Sequence, residues 1–315
     1  MEISMIRTSQ QQTDDAVRTG YFTCEDGVRL YYEDIGKGAP IIFAHEFAGD
    51  MRIWAPQVSY FSRDFRVVTF NARGYPPSDV PTDPSLYSLD IAVRDIATLI
   101  KHLDLGNAHV VGFSMGSFAA LFLGLRYPDL ARSVTPVCCG YGAEKAWGAI
   151  HKSNFLELAG LLENDETADQ ASDRYANGAT RMQYKQKDPK GWAEFALQFR
   201  QLSRKGRAMT LRHVLATRPS IYEFADDFKN MEVPVLLITG DEDEQTLQPG
   251  FFLKKHIPNL GLCVLPRCGH TVHLEEQGVF NSILYDFISS IEMNTWKPRA
   301  PGSFATAHYL EPDQA

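Results

Sequence analysis

Three groups of residues in this chain have the types and the order that acyl transfer needs. The first is Gly112-Phe113-Ser114-Met115-Gly116, a serine framed by glycines. A serine hydroxyl is a weak nucleophile at neutral pH and requires a base, itself held in place by an acid. Both occur later: Gly240 is followed by Asp241-Glu242-Asp243-Glu244, and Pro266-Arg267-Cys268-Gly269 by His270. Each group follows an apolar run, in the order serine, acid, histidine. In such a constellation the hydroxyl attacks a carbonyl, the imidazole carries the proton, and the acid fixes the imidazole tautomer. Among the nine histidines, His270 has the best setting, a loop after a strand and beside a glycine. His273 falls in the following helix and reads as a core residue or a support behind the site. Asp241, Asp243 and Glu244 share one loop, and spacing does not choose among them.

These groups work only if elements bring them to one edge. Ser114 stands between an apolar strand, His109 to Phe113, and an apolar helix, Ser117 to Arg126. A turn that sharp puts the serine in a strained backbone conformation and leaves no room for side chains at Gly112 and Gly116. Met115 opens the helix, so its N–H and the helix's positive end face the place where an oxyanion would form. Further short apolar runs, Ile41 to Ala44, Arg66 to Phe70, Ser133 to Cys138, Val233 to Thr239 and Leu262 to Leu265, alternate with helix-length segments. Runs apolar on both faces suit a parallel sheet covered on both sides. Ser88 is a plausible N-cap for a helix to Leu103, whose apolar residues recur at helical spacing. Tyr21 to Cys24 and Val28 to Ile35, joined at Asp26-Gly27, predict an antiparallel hairpin at the start. A last helix is expected from Val272 to Ile291.

The alternation is interrupted by about ninety residues rich in helical pattern (Ala143 to Leu162, Ala168 to Gln183, Gly191 to Leu202, Ala208 to Thr217). The expected organisation is therefore a polar leader over 1–18, a core of 19–140 and 228–293, a helical cap over 141–227 and a tail over 294–315. The tail is Pro-containing and aperiodic. It is expected along the surface or as an intersubunit arm, which leaves a homodimer open.

The elbow, the acid loop and the histidine loop together resemble the alpha/beta-hydrolase family across nearly all of Tyr21 to Ile291. The resemblance implies a mostly parallel α/β sheet flanked by helices with an inserted helical cap, and no cofactor. It also selects the acid, because the family's Gly-x-x-Asp turn falls on Asp243, and its Gly-His-x-x-His-x-Glu run matches Gly269-His270-Thr271-Val272-His273-Leu274-Glu275. Asp241 is then left to fix the loop through turn hydrogen bonds. A second oxyanion donor is implied at the backbone N–H of Phe47, within His45-Glu46-Phe47-Ala48-Gly49, where the family usually has His-Gly. Glu46 departs from that pattern: a carboxylate beside an oxyanion site repels the developing charge unless it points away or is neutralised. The preferred expectation is that it faces outward or pairs with a nearby cation such as Arg73; the alternative makes Glu46 a substrate contact or a water-positioning group. His45-Glu46 has no histidine at Gly49 to complete a zinc motif, so no metal site is expected. Arg73, in Asn71-Ala72-Arg73-Gly74-Tyr75-Pro76-Pro77-Ser78, is expected in a buried ion pair or hydrogen-bond network.

For the pocket, His45, Glu46, Trp147 and Trp192 are candidates, with Phe195, Phe199 and Met209 as further apolar lining or as packing of cap on core. Residues 181–218 carry ten Lys/Arg against Asp188 and Glu194, a local excess of eight positive charges in a chain whose net charge is -8. A solvated helix face is the favoured reading, attraction of a carboxylate-bearing substrate the minority one. The overall negative charge argues against nucleic-acid binding. Residues 105–125 contain no Asp, Glu, Lys or Arg, but four glycines with Asn107, His109, Ser114 and Ser117 mark a core strand, turn and helix rather than a membrane span. Five cysteines without CxxC spacing and a polar N-terminus without an apolar stretch point to the cytoplasm. The expected function is hydrolysis of a carboxylic ester of a small molecule through an acyl-enzyme on Ser114. Carbon–carbon, lactone or amide hydrolysis by the same triad is the alternative, and a small-molecule receptor that keeps the fold is a second one. Serine at position 114, rather than Asp, weighs against haloalkane dehalogenase or epoxide hydrolase chemistry.

Overall fold

A computed structural model describes residues 16–300. The remaining leader and tail positions, and any intersubunit role of the tail, lie outside the described residues. Eight strands form one sheet: β1 Arg18–Thr23, β2 Arg29–Ile35, β3 Pro40–Ala44, β4 Arg66–Phe70, β5 Ala108–Phe113, β6 Ala131–Val137, β7 Val235–Gly240 and β8 Leu260–Leu265. Their spatial order is β1-β2-β4-β3-β5-β6-β7-β8. β1 and β2 pair antiparallel, β2 meets β4 antiparallel, and all remaining pairs are parallel. β7 begins at Val235 rather than Val233, after Pro234, whose ring nitrogen cannot donate to a ladder.

The central strands divide their side chains between two cores, as the two-residue period of a strand requires. On β3, Ile42 and Ala44 face one core while Ile41 and Phe43 face the other; on β5, Ala108 and Val110 divide from Val111 and Phe113 in the same way. The first core is closed by α2 (Leu89–His102), α3 (Met115–Arg126) and α10 (Glu244–His256), the second by α1 (Ala55–Phe61) and α12 (Gln277–Glu292). Ser88 caps α2, its hydroxyl accepting from Ile91 N–H at 3.1 Å. The helix expected over 272–291 is two, α11 (Val272–Glu275) and α12, because Glu276 leaves helical geometry with φ -134° and ψ 57°.

Between β6 and β7 the chain forms α4 (Lys145–Glu163), α5 (Ala168–Ala176), α6 (Met182–Lys187), α7 (Pro189–Gln201), α8 (Arg204–Thr210), a π-helical turn (Leu211–Leu215) and α9 (Ala225–Lys229). The single helix expected over 168–183 is broken at Asn177-Gly178, where Gly178 is extended. At Gly206 this insertion meets the rest of the chain backbone to backbone: a Cβ there would lie 1.8 Å from the carbonyl oxygen of Gly74. Three of the ten cations over 181–218 are balanced by acids just upstream. Arg200 pairs with Asp173, Arg204 with Asp165 and Asp169, and Arg212 with Glu163. No helix among the described residues is long and apolar enough to cross a membrane.

Candidate active site

The parallel strands end at a common edge, and the loops leaving β3, β5, β7 and β8 there carry His45 to Phe47, Ser114, Asp243 and His270. Ser114 takes φ 52° and ψ -106°, a left-handed conformation costly for a residue with a side chain. It is enforced by packing: a Cβ at Gly112 would lie 2.1 Å from Gly116 O, and one at Gly116 would lie 2.4 Å from Ala44 O. The strand-to-helix turn therefore needs glycine on both sides and holds Ser114 at the mouth of α3.

Ser114 Oγ lies 2.9 Å from His270 Nε2, and His270 Nδ1 lies 2.7 Å from Asp243 Oδ2. With a carboxylate on Nδ1, the neutral ring carries its proton there and leaves Nε2 free to accept from the hydroxyl. His270 and Asp243 are buried. Burial pushes the Asp243 carboxyl up, but the facing imidazole and hydrogen bonds from His270 and Thr246 outweigh it and hold it below the ordinary value. Asp243 occupies the N-cap position of α10 yet makes no capping bond. Its carboxylate is committed instead to His270 and to Thr246 Oγ1, at 3.0 Å.

Two acids fix the loops. Asp241 Oδ1 accepts from Cys268 N–H at 3.1 Å, tying the acid loop to the histidine loop. A Cβ at Gly240 would lie 2.1 Å from Cys268 O, so the two loops touch through backbone. Glu275 accepts from Gly269 N–H at 2.7 Å, Thr271 N–H at 3.0 Å and Thr271 Oγ1 at 2.8 Å, which pins the residues on either side of His270. His273 is buried against Trp54 and Phe113, ring centroids 4.5 Å from each, and burial holds it well below the ordinary histidine range. It is a neutral core residue.

Several pocket expectations need correction. Glu46 does pair with a cation, but with Arg181 and not Arg73: it is fully buried rather than outward-facing, and Nη2 of Arg181, from the insertion, donates to its carboxylate. Arg73 is occupied by Asp95, at 2.6 and 2.8 Å, and by Asp26 at 2.8 Å. The nearest opposite charge to Glu46 thus comes from a residue remote in sequence, which neighbour spacing does not reveal. His45 is also committed: Nε2 accepts from Ala72 N–H at 3.0 Å, so Nδ1 carries the proton and donates to Glu46 O at 2.6 Å. Trp147 is about half exposed on α4, at 49%, and lines no cavity described below. Trp192 donates from Nε1 to Ala176 O at 2.7 Å and lies under the Lys185 ammonium, so it braces the insertion. Phe195 and Phe199 are core residues stacked beneath the Arg181 and Arg207 guanidiniums. Met209 packs with Tyr87 and Val214.

A cavity of about 960 Å³ lies beside the triad rather than over it, with Phe118, Tyr141, His151, Phe155, Leu215 and Arg218 among its lining. Tyr141 reaches back to the site, its ring centroid 6.1 Å from that of His270. No local signal in the sequence singles out His151 or separates Arg181 and Arg218 from the other cations of the insertion. Nothing in local spacing distinguishes a buried arginine from a solvated one.

Residues 39–277 match the family described as the alpha/beta hydrolase fold. The chain belongs to that family. Its curated relatives include a putative 2-succinyl-6-hydroxy-2,4-cyclohexadiene-1-carboxylate synthase of Bacillus subtilis, 26% identical over 287 residues that cover 85% of this chain and 98% of that protein. The 3-oxoadipate enol-lactonase 2 of Acinetobacter baylyi is 26% identical over 266 residues, covering 82% of this family member and 92% of the lactonase. Among solved structures, the enol-lactonase from Burkholderia xenovorans superposes with a TM-score of 0.73 at 22% identity, covering 86% of this chain and 100% of that one. At that identity the likeness speaks for the fold alone.

Proposed function

We propose that this alpha/beta hydrolase opens a carboxylic ester of a small molecule through an acyl-enzyme on Ser114, without a cofactor. The carrying observation is the unbroken line of hydrogen-bond contacts from Ser114 Oγ through His270 to Asp243. In this reading His270 Nε2 takes the hydroxyl proton as Oγ attacks the carbonyl, and then delivers it to the leaving oxygen. Asp243 keeps the Nδ1 tautomer and offsets the imidazolium charge. Water repeats the sequence on the acyl-enzyme and returns free Ser114. The oxyanion is assigned to the N–H of Met115, which helix geometry leaves without an intrahelical acceptor, and to the N–H of Phe47. The pairing of Glu46 with Arg181 supports this assignment, because it neutralises the carboxylate next to Phe47.

Lactone opening is the second reading, favoured by the 3-oxoadipate enol-lactonase among the relatives. A lactone is an internal ester and needs no change in these roles. Ser114→Ala should abolish turnover of 4-nitrophenyl butyrate, and a fluorophosphonate probe should label the parent but not this variant. Undiminished turnover in Ser114→Ala refutes the mechanism. Labelling of Ser114, with unlabelled protein showing at most a single turnover and no steady hydrolysis of any ester or lactone, would mark a receptor instead.

A further inference from the structure

Arg218 poses a charge problem that the proposed reaction does not use. Its guanidinium sits 3.8 Å from the centroid of the Phe118 ring, and Nη2 donates to the Tyr141 carbonyl. No Asp or Glu among the described residues forms an ion pair with it, and burial draws it down to about 10 from its ordinary value. Arg73 has Asp95 and Asp26, and Arg181 has Glu46; Arg207 also forms no ion pair among the described residues, but it is 1% exposed, donates to Ser172 Oγ at 3.0 Å and does not line the cavity beside the triad. An uncompensated guanidinium inside a protein is costly, and it is relieved by an anion that arrives from outside.

The surroundings supply a place for one. Arg218 keeps part of its surface on the cavity of about 960 Å³. His151 lines the same cavity; it is 6% exposed, and its Nε2 has no hydrogen-bond partner. Phe118, Phe155 and Leu215 make the wall between these polar groups apolar. Glu144 and Glu223 also line the cavity, and neither perturbs Arg218. Three of its lining residues lie close to the triad in the chain or in space. Phe118 lies four residues beyond Ser114 on α3, the Tyr141 ring centroid stands 6.1 Å from that of His270, and Leu215 packs against the same apolar cluster as Met115.

We propose that this cavity binds the free carboxylate of the substrate, with Arg218 as its principal partner and His151 as a second polar contact, so that the substrate class is an ester or lactone bearing a remote carboxylate. Placing the other end of that molecule at Ser114 rests on the hydrolase reading; the carboxylate site does not. The apolar wall between the two ends suits an aliphatic or aromatic spacer, and a planar guanidinium suits a carboxylate.

Two matched pairs test it, with the carboxylate on either side of the scissile bond: mono-4-nitrophenyl suberate against 4-nitrophenyl octanoate, and 6-acetoxyhexanoate against hexyl acetate. The parent should favour the anionic member of at least one pair in kcat/KM. Arg218→Met should lower that preference tenfold to a hundredfold, chiefly through KM, while the neutral esters change less than threefold. Arg218→Lys should keep part of the preference. Calorimetry on the Ser114→Ala protein adds a measure that needs no turnover: suberate should bind, and should bind at least tenfold more weakly when Arg218→Met is added. Suberate binding without hydrolysis of any ester would sustain the site and sink the hydrolase reading. Hydrolysis with no anionic preference in either pair, or no suberate binding to the folded Ser114→Ala protein, would overturn the site and leave the hydrolase reading standing. Should Arg218→Met not fold, the Arg218→Lys ratios and the suberate titration of Ser114→Ala decide the matter.

Discussion

The ion pair between Glu46 and Arg181 allows a quantitative test of how the insertion is held over the sheet edge. Both side chains are at most 1% exposed, and one hydrogen bond joins them. Glu46 Oε1 and Arg181 Nε and Nη1 have no partner among the described residues. Removing the cation alone leaves a buried carboxylate uncompensated, so Arg181→Met should cost about 3–5 kcal/mol of unfolding free energy. The Arg181 guanidinium also lies 4.9 Å from the Phe195 ring centroid and 5.6 Å from that of Tyr175. Losing those contacts adds about 1 kcal/mol that no change at position 46 restores. Glu46→Gln keeps an acceptor for Nη2 but strands the guanidinium charge, for about 2–3 kcal/mol. The double variant removes both charges and should cost only about 1–2 kcal/mol, less than Arg181→Met by itself. Urea unfolding followed by tryptophan fluorescence reads each value as a midpoint shift at constant slope. Additive losses in the double variant, or a cost under 1 kcal/mol for Arg181→Met, would refute the claim that the pair matters because its charges are mutually compensating.

Three further outcomes are expected. Asp243→Asn should lower kcat by about ten-thousandfold with little change in KM, since the amide favours the wrong imidazole tautomer; steady-state kinetics on 4-nitrophenyl butyrate checks this. Gly240→Ala must push the acid and histidine loops apart, because the new methyl meets two backbone carbonyls, Cys268 O at 2.1 Å and Gly269 O at 2.4 Å. It should therefore lose both stability and turnover, and a fully active, equally stable protein would contradict the packing. Stability should also fall with acid. Burial lowers His109 to about 4, and His45 and His273 are lowered by the same cause. A base whose folded pKa is depressed favours the folded form above its unfolded value near 6.5, and that advantage is lost as pH falls below it. His109 alone accounts for roughly 2 kcal/mol lost by pH 5, measurable in urea titrations from pH 7.5 to 5.

What the sequence disclosed and what it withheld divide along a physical line. Gly112 to Gly116 between an apolar strand and an apolar helix dictates a turn whose steric demands are local, and His270 beside Gly269 in a loop after a strand is legible in the same way, whereas the choice of Asp243 over Asp241 and Glu244 rests on the family resemblance. Strand alternation and the Ser88 cap are local in the same sense. The environment of Glu46 is not: its partner Arg181 arrives from an insertion whose helices dock by contacts spread across the fold. The same holds for Trp147 and Trp192, whose helical spacing is the same whether a face is exposed, braced or lining a cavity. Arg218 gains meaning only because no acid among the described residues pairs with it, and absence of a counter-charge leaves no mark on a one-dimensional pattern.

The meeting of Gly74 and Gly206 constrains how this chain can vary. The obstacle to a side chain at Gly206 is a main-chain carbonyl, present whatever residue occupies position 74. No second-site exchange at 74 can make room, as it could if two side chains were competing for space. Natural variants at 206 would have to relocate a whole turn or be lost, so this small seam between insertion and sheet should tolerate less drift than the larger apolar surfaces around it.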